Sequence, residues 1–165
     1  MLGVDFLIFV ILGTQDKEFT RLLKEIQKLI NKKIINEKVI VQAGSTNFVS
    51  KDMIIKKYIS MKEFDETIEK SDYIITHGGV GSIIDSLKKN KKVIAVPRQK
   101  KYSEHENDHQ IQIIEEFTKM GYILGCIEIK ELKDKILEIP TFTPNKYKSN
   151  NKRIINNLEK YIDNL

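Results

Sequence analysis

The chain has 165 residues, 41% of them hydrophobic and 31% charged, with 28 Lys and Arg against 23 Asp and Glu for a formal net charge of +5. With 8 Gly, 3 Pro and 1 Cys, it reads as a soluble chain of one domain, two at most, and collagen-like, low-complexity and disulfide-scaffold chains are excluded. The lone Cys126 also excludes a multi-cysteine zinc site, and the apolar run Phe6 to Leu12 falls far short of the roughly 20 residues a membrane-spanning helix needs.

No basic flank precedes that run, so it does not read as a secretory signal, and a soluble intracellular protein is expected. The basic excess is spread over small clusters, at 88–92, at Lys56-Lys57, and at Arg98 with Lys100 and Lys101. A nucleic-acid face would gather Lys and Arg with interleaved aromatics, so no nucleic-acid partner is expected. An anionic membrane surface and a phosphate-bearing ligand remain open.

Leu7 to Leu12 is apolar without alternation, as in a strand buried on both faces of a parallel sheet. Asp16 is expected to cap a helix whose apolar residues, from Phe19 to Ile30, recur at helical spacing. Val39 to Val41 and Met53 to Ile59 read as the next strands. Ser60 and Glu63 form a capping box for a helix burying Met61, Phe64 and Ile68. Tyr73 to Thr76 is a fourth strand, followed at once by His77-Gly78-Gly79-Val80-Gly81-Ser82 and a helix carrying Ile83, Ile84 and Leu87.

Val93 to Val96 is a fifth strand, stopped by Pro97. A polar loop over 98–106 leads into a helix from about Asn107 to Met120, with Ile111, Ile114 and Phe117 inward and Gly121 as its stop. Tyr122 to Leu124 is a last short strand, and a modest helix around Leu132, Ile136 and Leu137 ends before Pro140. Strand and helix alternate throughout, so the expected class is α/β: a Rossmann-like parallel sheet with helices on both faces. Residues 1–140 are assigned to this domain. Residues 141–165 are assigned to a polar linker, Thr141 to Lys148, and an amphipathic terminal helix with Ile154, Ile155, Leu158, Tyr161, Ile162 and Leu165 on one stripe.

In an open α/β sheet, ligands bind beyond the carboxyl ends of the strands. Glycines at 78, 79 and 81 lie at that edge, where a backbone without Cβ atoms approaches a ligand closely and a helix start offers unpaired N–H groups. A phosphate or diphosphate is the natural occupant. The Walker pattern is absent, and so is G-x-G-x-x-G, which would follow the first strand rather than the fourth. A plain tight turn is the alternative, and Ser82 with Asp85 also fits a capping box. The polar loop Arg98 to Gln110 reaches the same edge and suits a ligand rich in hydroxyls, such as a sugar; His105 and His109 lack a third metal ligand.

Phe9-Val10-Ile11-Leu12-Gly13-Thr14, His77-Gly78-Gly79-Val80-Gly81-Ser82, and Val96-Pro97-Arg98 with Glu104-His105 and Asn107-Asp108-His109-Gln110 resemble exopolysaccharide and capsule glycosyltransferases of the PssE type. These belong to the glycosyltransferase family 28 C-terminal domain, which also takes in the small cytosolic subunit of the dolichol-pathway N-acetylglucosaminyltransferase. The resemblance covers about residues 6–140. It implies the C-terminal, donor-binding half of a GT-B glycosyltransferase, active with a separate membrane-anchored subunit that supplies the acceptor-binding half.

By that resemblance Gly78, Gly79, Gly81, Ser82 and Thr14 hold the diphosphate of a UDP-sugar. Asp85, Arg98, Asn107, Asp108, His109 and Gln110 contact its ribose and sugar. His77 is the candidate catalytic group, donating to a phosphate, with a packed structural role as its alternative. No metal and no further cofactor are expected. The implied reaction is inverting transfer of a hexose to a lipid-linked saccharide in capsular or exopolysaccharide synthesis, with the chain recruited to the inner face of the cell membrane through its partner. Where the family often has His after Gly-Thr, this chain has Gln15, which cannot serve as a general base. The competing readings are a non-catalytic accessory subunit of such an enzyme and a nicotinamide-dependent oxidoreductase, the latter disfavoured by the position of the glycine turn.

Overall fold

A computed structural model of the chain describes residues 5–149 and Asn156; the expected amphipathic terminal helix lies outside the described residues. Six parallel strands form one sheet: β1 (Leu7–Ile11), β2 (Lys38–Gln42), β3 (Met53–Lys56), β4 (Tyr73–His77), β5 (Lys92–Val96) and β6 (Leu124–Gly125). Their order is β3-β2-β1-β4-β5-β6, the doubly wound arrangement whose topology reverses between β1 and β4. The helices are α1 (Thr20–Asn31), α2 (Met61–Lys70), α3 (Val80–Lys88), α4 (His109–Lys119) and α5 (Leu132–Glu138).

The lack of alternation in β1 now has its cause. Ile8, Val10 and Leu12 face a core that α1 and α5 complete through Leu22, Leu23, Ile26 and Ile136. Phe9 and Ile11 face a second core closed by Ile83 and Leu87 of α3 and Ile114 and Phe117 of α4. Both faces are covered, so no position along the strand is free to be polar.

Helix starts depart from the sequence reading in several places. Asp16 does not cap α1: Phe19 occupies the N-cap position without a side-chain bond, and its N–H donates to Thr46 Oγ1 at 2.9 Å. Ser60 does cap α2, accepting from the N–H of Glu63 at 3.1 Å. The box expected from Ser82 and Asp85 is absent, because α3 begins earlier, with Gly79 at its N-cap. The third strand closes at Lys56 rather than Ile59, and α4 opens at His109, two residues beyond Asn107.

Met61, expected inward, is 74% exposed. Met61 opens its helix before the buried face begins, and Thr67 and Ile68 carry the burial instead. Gly121, at φ +71°, ends α4 as expected. Thr141 ends a 3-10 turn over Ile139–Thr141, and residues 142–148 run without regular structure but lie on the domain. Phe142 packs on the first core and Tyr147 on the second, and Asn145 donates through its backbone N–H to Gly121 O (2.8 Å) and through Nδ2 to Met120 O (2.7 Å).

Candidate functional site

Three loops meet at the carboxyl edge of the sheet where the strand order reverses: residues 12–19 after β1, 78–79 after β4 and 97–108 after β5. Two arginines brace them from beneath. Arg98 is 0% exposed, and its guanidinium donates to the carbonyls of Leu12 (Nη2, 2.7 Å), Lys17 (Nη1, 2.7 Å) and Glu104 (Nη1, 3.3 Å). Its Nε finds no acceptor, and the guanidinium carbon lies 5.1 Å from the centre of the Phe19 ring. Burial lowers the Arg98 pKa to about 10 while Glu104 acts to raise it, so the charge persists at neutral pH.

Arg21 on α1 grips the buried Glu104 with both ends of its fork, Nε to Oε1 and Nη2 to Oε2, each at 2.9 Å, and reaches Pro97 O at 3.1 Å. Two parallel charge-assisted bonds fix position as well as energy. The first and fifth strand loops are thereby tied into one body. Neither Arg21 nor Glu104 was singled out from the sequence as a site residue. A lone Arg on the polar face of a helix gives no sign that its partner lies more than eighty residues away.

Gln110 is the third brace, 5% exposed in the first turn of α4. Its Oε1 accepts from the N–H groups of Gly78 (3.0 Å) and Arg98 (2.9 Å), and its Nε2 lies 3.2 Å from His77 Nδ1. His77 is 8% exposed, and burial, with the nearby Arg98 charge, lowers its pKa to about 3, so the ring is neutral. Glycine is required on both sides of it. A Cβ at Gly78 would lie 2.6 Å from Gln110 Cβ, one at Gly79 2.6 Å from His77 Nε2, and one at Gly13 2.7 Å from the same nitrogen.

At the start of α3 the backbone is open. Gly79 carries no capping side chain, so the N–H groups of Val80, Gly81 and Ser82 have no intrahelical partners and the helix presents its positive end there. A Cβ built on Gly81 meets nothing within 4 Å. The Ser82 hydroxyl is held by Thr76 Oγ1 (2.7 Å) and Gly79 O (3.1 Å), so the open group of Ser82 is its amide.

The structure gathers the expected residues at one edge but divides their roles. Gly79, Gly81, Ser82 and the exposed Thr14 lie at this edge, of which Gly81 borders open space, and Asp85, half-buried one turn beyond Gly81, makes no hydrogen bond or ion pair among the described residues. Gly78, Arg98 and Gln110, expected as ligand contacts, are buried and make hydrogen bonds within the protein. The Gly78 amide, the Arg98 guanidinium and the Gln110 amide are each engaged by other protein groups.

In the 107–110 segment, Asn107 Oδ1 accepts from the N–H of His109 (3.0 Å), Asp108 Oδ1 from the N–H of Lys100 (2.8 Å), and His109 Nδ1 pairs with Gln112 Oε1 (3.0 Å). His105 turns to the first loop, its Nε2 lying 3.0 Å from Gln15 Nε2. Its Nδ1 accepts from the N–H of Asn107 at 3.2 Å, so Nε2 carries the proton and the Gln15 amide oxygen is the partner that fits.

A model of the glycosyltransferase family 28 C-terminal domain matches residues 7–165. The chain belongs to this family. It is 36% identical over 95 residues to the UDP-N-acetylglucosamine transferase subunit ALG13 of Candida albicans, a match covering 56% of this chain and 30% of that protein. With the subunit of the same name from Debaryomyces hansenii it shares 27% identity over 124 residues, 70% of this chain and 56% of the relative. The chain thus spans less than two-thirds of the length of these curated relatives.

Among solved structures, an NMR structure of ALG13 matches with a TM-score of 0.58 at 20% identity, over 90% of this chain and 92% of that one. The glycosyltransferase of kitacinnamycin matches with a TM-score of 0.60 at 13% identity, over 84% of this chain and 35% of that one. At these identities the likeness is one of fold, and the fold is that of one domain of glycosyltransferases much longer than this chain.

Among the described residues no helix is long and apolar enough to cross a membrane.

Proposed function

We propose that this chain is the donor-binding subunit of a two-component inverting glycosyltransferase that uses a UDP-sugar. The observation that carries this reading is the start of α3, where bare amides of Val80, Gly81 and Ser82 and empty space beside Gly81 adjoin the neutral His77. That combination suits a diphosphate: N–H donors and a helix dipole meet anionic oxygens, and no side chain stands in the way. Asp85, on the same face one turn on, suits a ribose hydroxyl, and Thr14 a phosphate oxygen across the opening.

In the reaction, the bond from the anomeric carbon to the β-phosphate oxygen breaks as the acceptor oxygen bonds the same carbon from the opposite side. The electron pair stays on the diphosphate, and preorganised amides with the helix dipole stabilise that growing charge. This reading needs no metal. The acceptor proton passes to a base on the far side of the sugar, which a separate membrane-anchored subunit would supply with the lipid-linked acceptor. The chain would then sit at the inner face of the cell membrane through that partner. The resemblance to capsule and exopolysaccharide enzymes suggests a hexose donor and a polysaccharide product.

Gly81→Val tests the reading cleanly. Its Cβ meets no protein atom, so folding should change by no more than about 1 kcal/mol, while the branched side chain fills the space assigned to the diphosphate. UDP affinity, read by calorimetry, should fall by at least about tenfold. The complex with the membrane subunit should lose transfer from UDP-sugars in parallel. Undiminished UDP binding overturns the site, and full transfer by the variant complex makes the chain an accessory subunit.

A further inference from the structure

We propose that Gln110 is a positioning residue that fixes His77 as the Nε2–H tautomer and aims that N–H into the opening between the loops after β1 and β4. The argument is one of donors and acceptors. An amide oxygen accepts and an amide nitrogen only donates. The Gln110 oxygen is identified by the two backbone N–H groups that converge on it, from Gly78 and Arg98 at 3.0 and 2.9 Å. Turning the amide over would set its NH2 against both donors, so the orientation is forced. Nε2 of Gln110 is then the atom beside His77 Nδ1 at 3.2 Å, and it must donate. Nδ1 therefore carries a lone pair, and the ring proton resides on Nε2.

The second nitrogen has a defined place. Hypothetical Cβ atoms at Gly13 and Gly79 would fall 2.7 and 2.6 Å from Nε2, so the two glycines leave that N–H uncovered where the first and fourth strand loops face each other. Arg98 and His105 are the charged and titratable groups that bear on His77, and both disfavour a second proton on the ring. His77 thus offers a neutral donor whose strength does not change across the physiological range. An ordinary surface histidine gains and loses its charge within that range.

The ligand role rests on the donor-site reading above; the tautomer belongs to the free chain and is measured without ligand. In nitrogen-15 histidine spectra of the whole chain, His77 should show a bare Nδ1 and a protonated Nε2 from about pH 5 to pH 9. UDP should shift the Nε2 resonance, with an affinity flat over the same range.

Gln110→Glu replaces the donor by a second acceptor and so draws a proton onto Nδ1. Its UDP affinity should be about tenfold weaker than wild type near pH 8, where Nε2 is bare, and should recover on acidification as the ring gains a second proton. Gln110→Met, which keeps the bulk and removes both polar atoms, should show mixed tautomers and an intermediate affinity. A protonated Nδ1 in the wild-type spectrum overturns the proposal, and so does UDP binding that leaves both His77 nitrogens unmoved. If UDP fails to bind while His77 shows the expected tautomer, the donor-site reading falls and the positioning by Gln110 stands.

Discussion

Gly79→Ala puts a methyl group where the His77 ring already lies. The residue has φ −73° and ψ 125°, a backbone that alanine adopts freely, so the cost comes from the side chain alone. The new Cβ would fall 2.6 Å from His77 Nε2. The ring is pushed aside, losing its bond to Gln110 for about 1 kcal/mol, and the turn opens with an overpacking cost of about 1–3 kcal/mol. The sum is a loss of roughly 2–4 kcal/mol.

The mechanism makes a sharper claim than the magnitude. In a His77→Ala background no ring opposes the added methyl, so Gly79→Ala should then cost no more than about 0.5 kcal/mol. Urea unfolding of the four proteins in this cycle should give a coupling of about 2 kcal/mol or more, with the double variant more stable than the two singles predict. Additivity within about 0.5 kcal/mol would show that the turn and the ring are not in the contact described here.

Folded His77 titrates near about 3, against about 6.5 in the unfolded chain, because burial disfavours its charged form. The unfolded state therefore takes up the proton first. Stability from this residue is intact above about pH 6.5 and declines by about 1.4 kcal/mol per pH unit as acid is added toward pH 3. His77→Gln should lack that slope, and wild-type and variant stabilities that fall in parallel between about pH 6 and pH 4 would refute the assignment. Gly44→Ala should destabilise by more than about 2 kcal/mol, lowering Tm by roughly 5–10 °C, because φ there is +57° and the added Cβ would sit on the Gly13 carbonyl oxygen. An unchanged melting curve would mean that the loops after β1 and β2 do not approach as described.

The sheet was legible because its cause is local. A strand covered on both faces is apolar along most of its length, as Leu7–Ile11 and Tyr73 to Ile75 are, and each of the two strands gives way to a glycine turn at the same edge. Helix caps were harder. Asp16 has the right chemistry for a cap, yet Thr46, from the loop after β2, takes the Phe19 amide at the start of α1. The polar density of residues 98–110 marks a loop at the sheet edge where the strand order reverses, but density does not say which way a group points. Arg98 looks like a ligand contact until Leu12 O and Lys17 O, contributed by the first loop, are seen to claim its guanidinium. A one-dimensional pattern records that donors are present and omits the distant acceptors that use them.

That division of labour changes what mutagenesis of the site can report. Arg98, Gln110 and Glu104 hold the loops from below, so truncating any of them leaves buried donors or acceptors unpaired, at about 1–3 kcal/mol each, and displaces the amides above them. Binding and stability would fall together, and a survey of alanine variants would not separate a lost brace from a lost ligand contact. The proposed ligand-facing groups are mostly backbone N–H groups, which no side-chain truncation removes. Only additions can reach them, at positions where the protein itself leaves room. Gly81 is such a position and Gly79 is not, since one opens on empty space and the other on a histidine ring. A valine at 81 that weakens UDP binding without touching the unfolding curve, beside an alanine at 79 that shifts both, would separate the surface that meets the donor from the scaffold that shapes it.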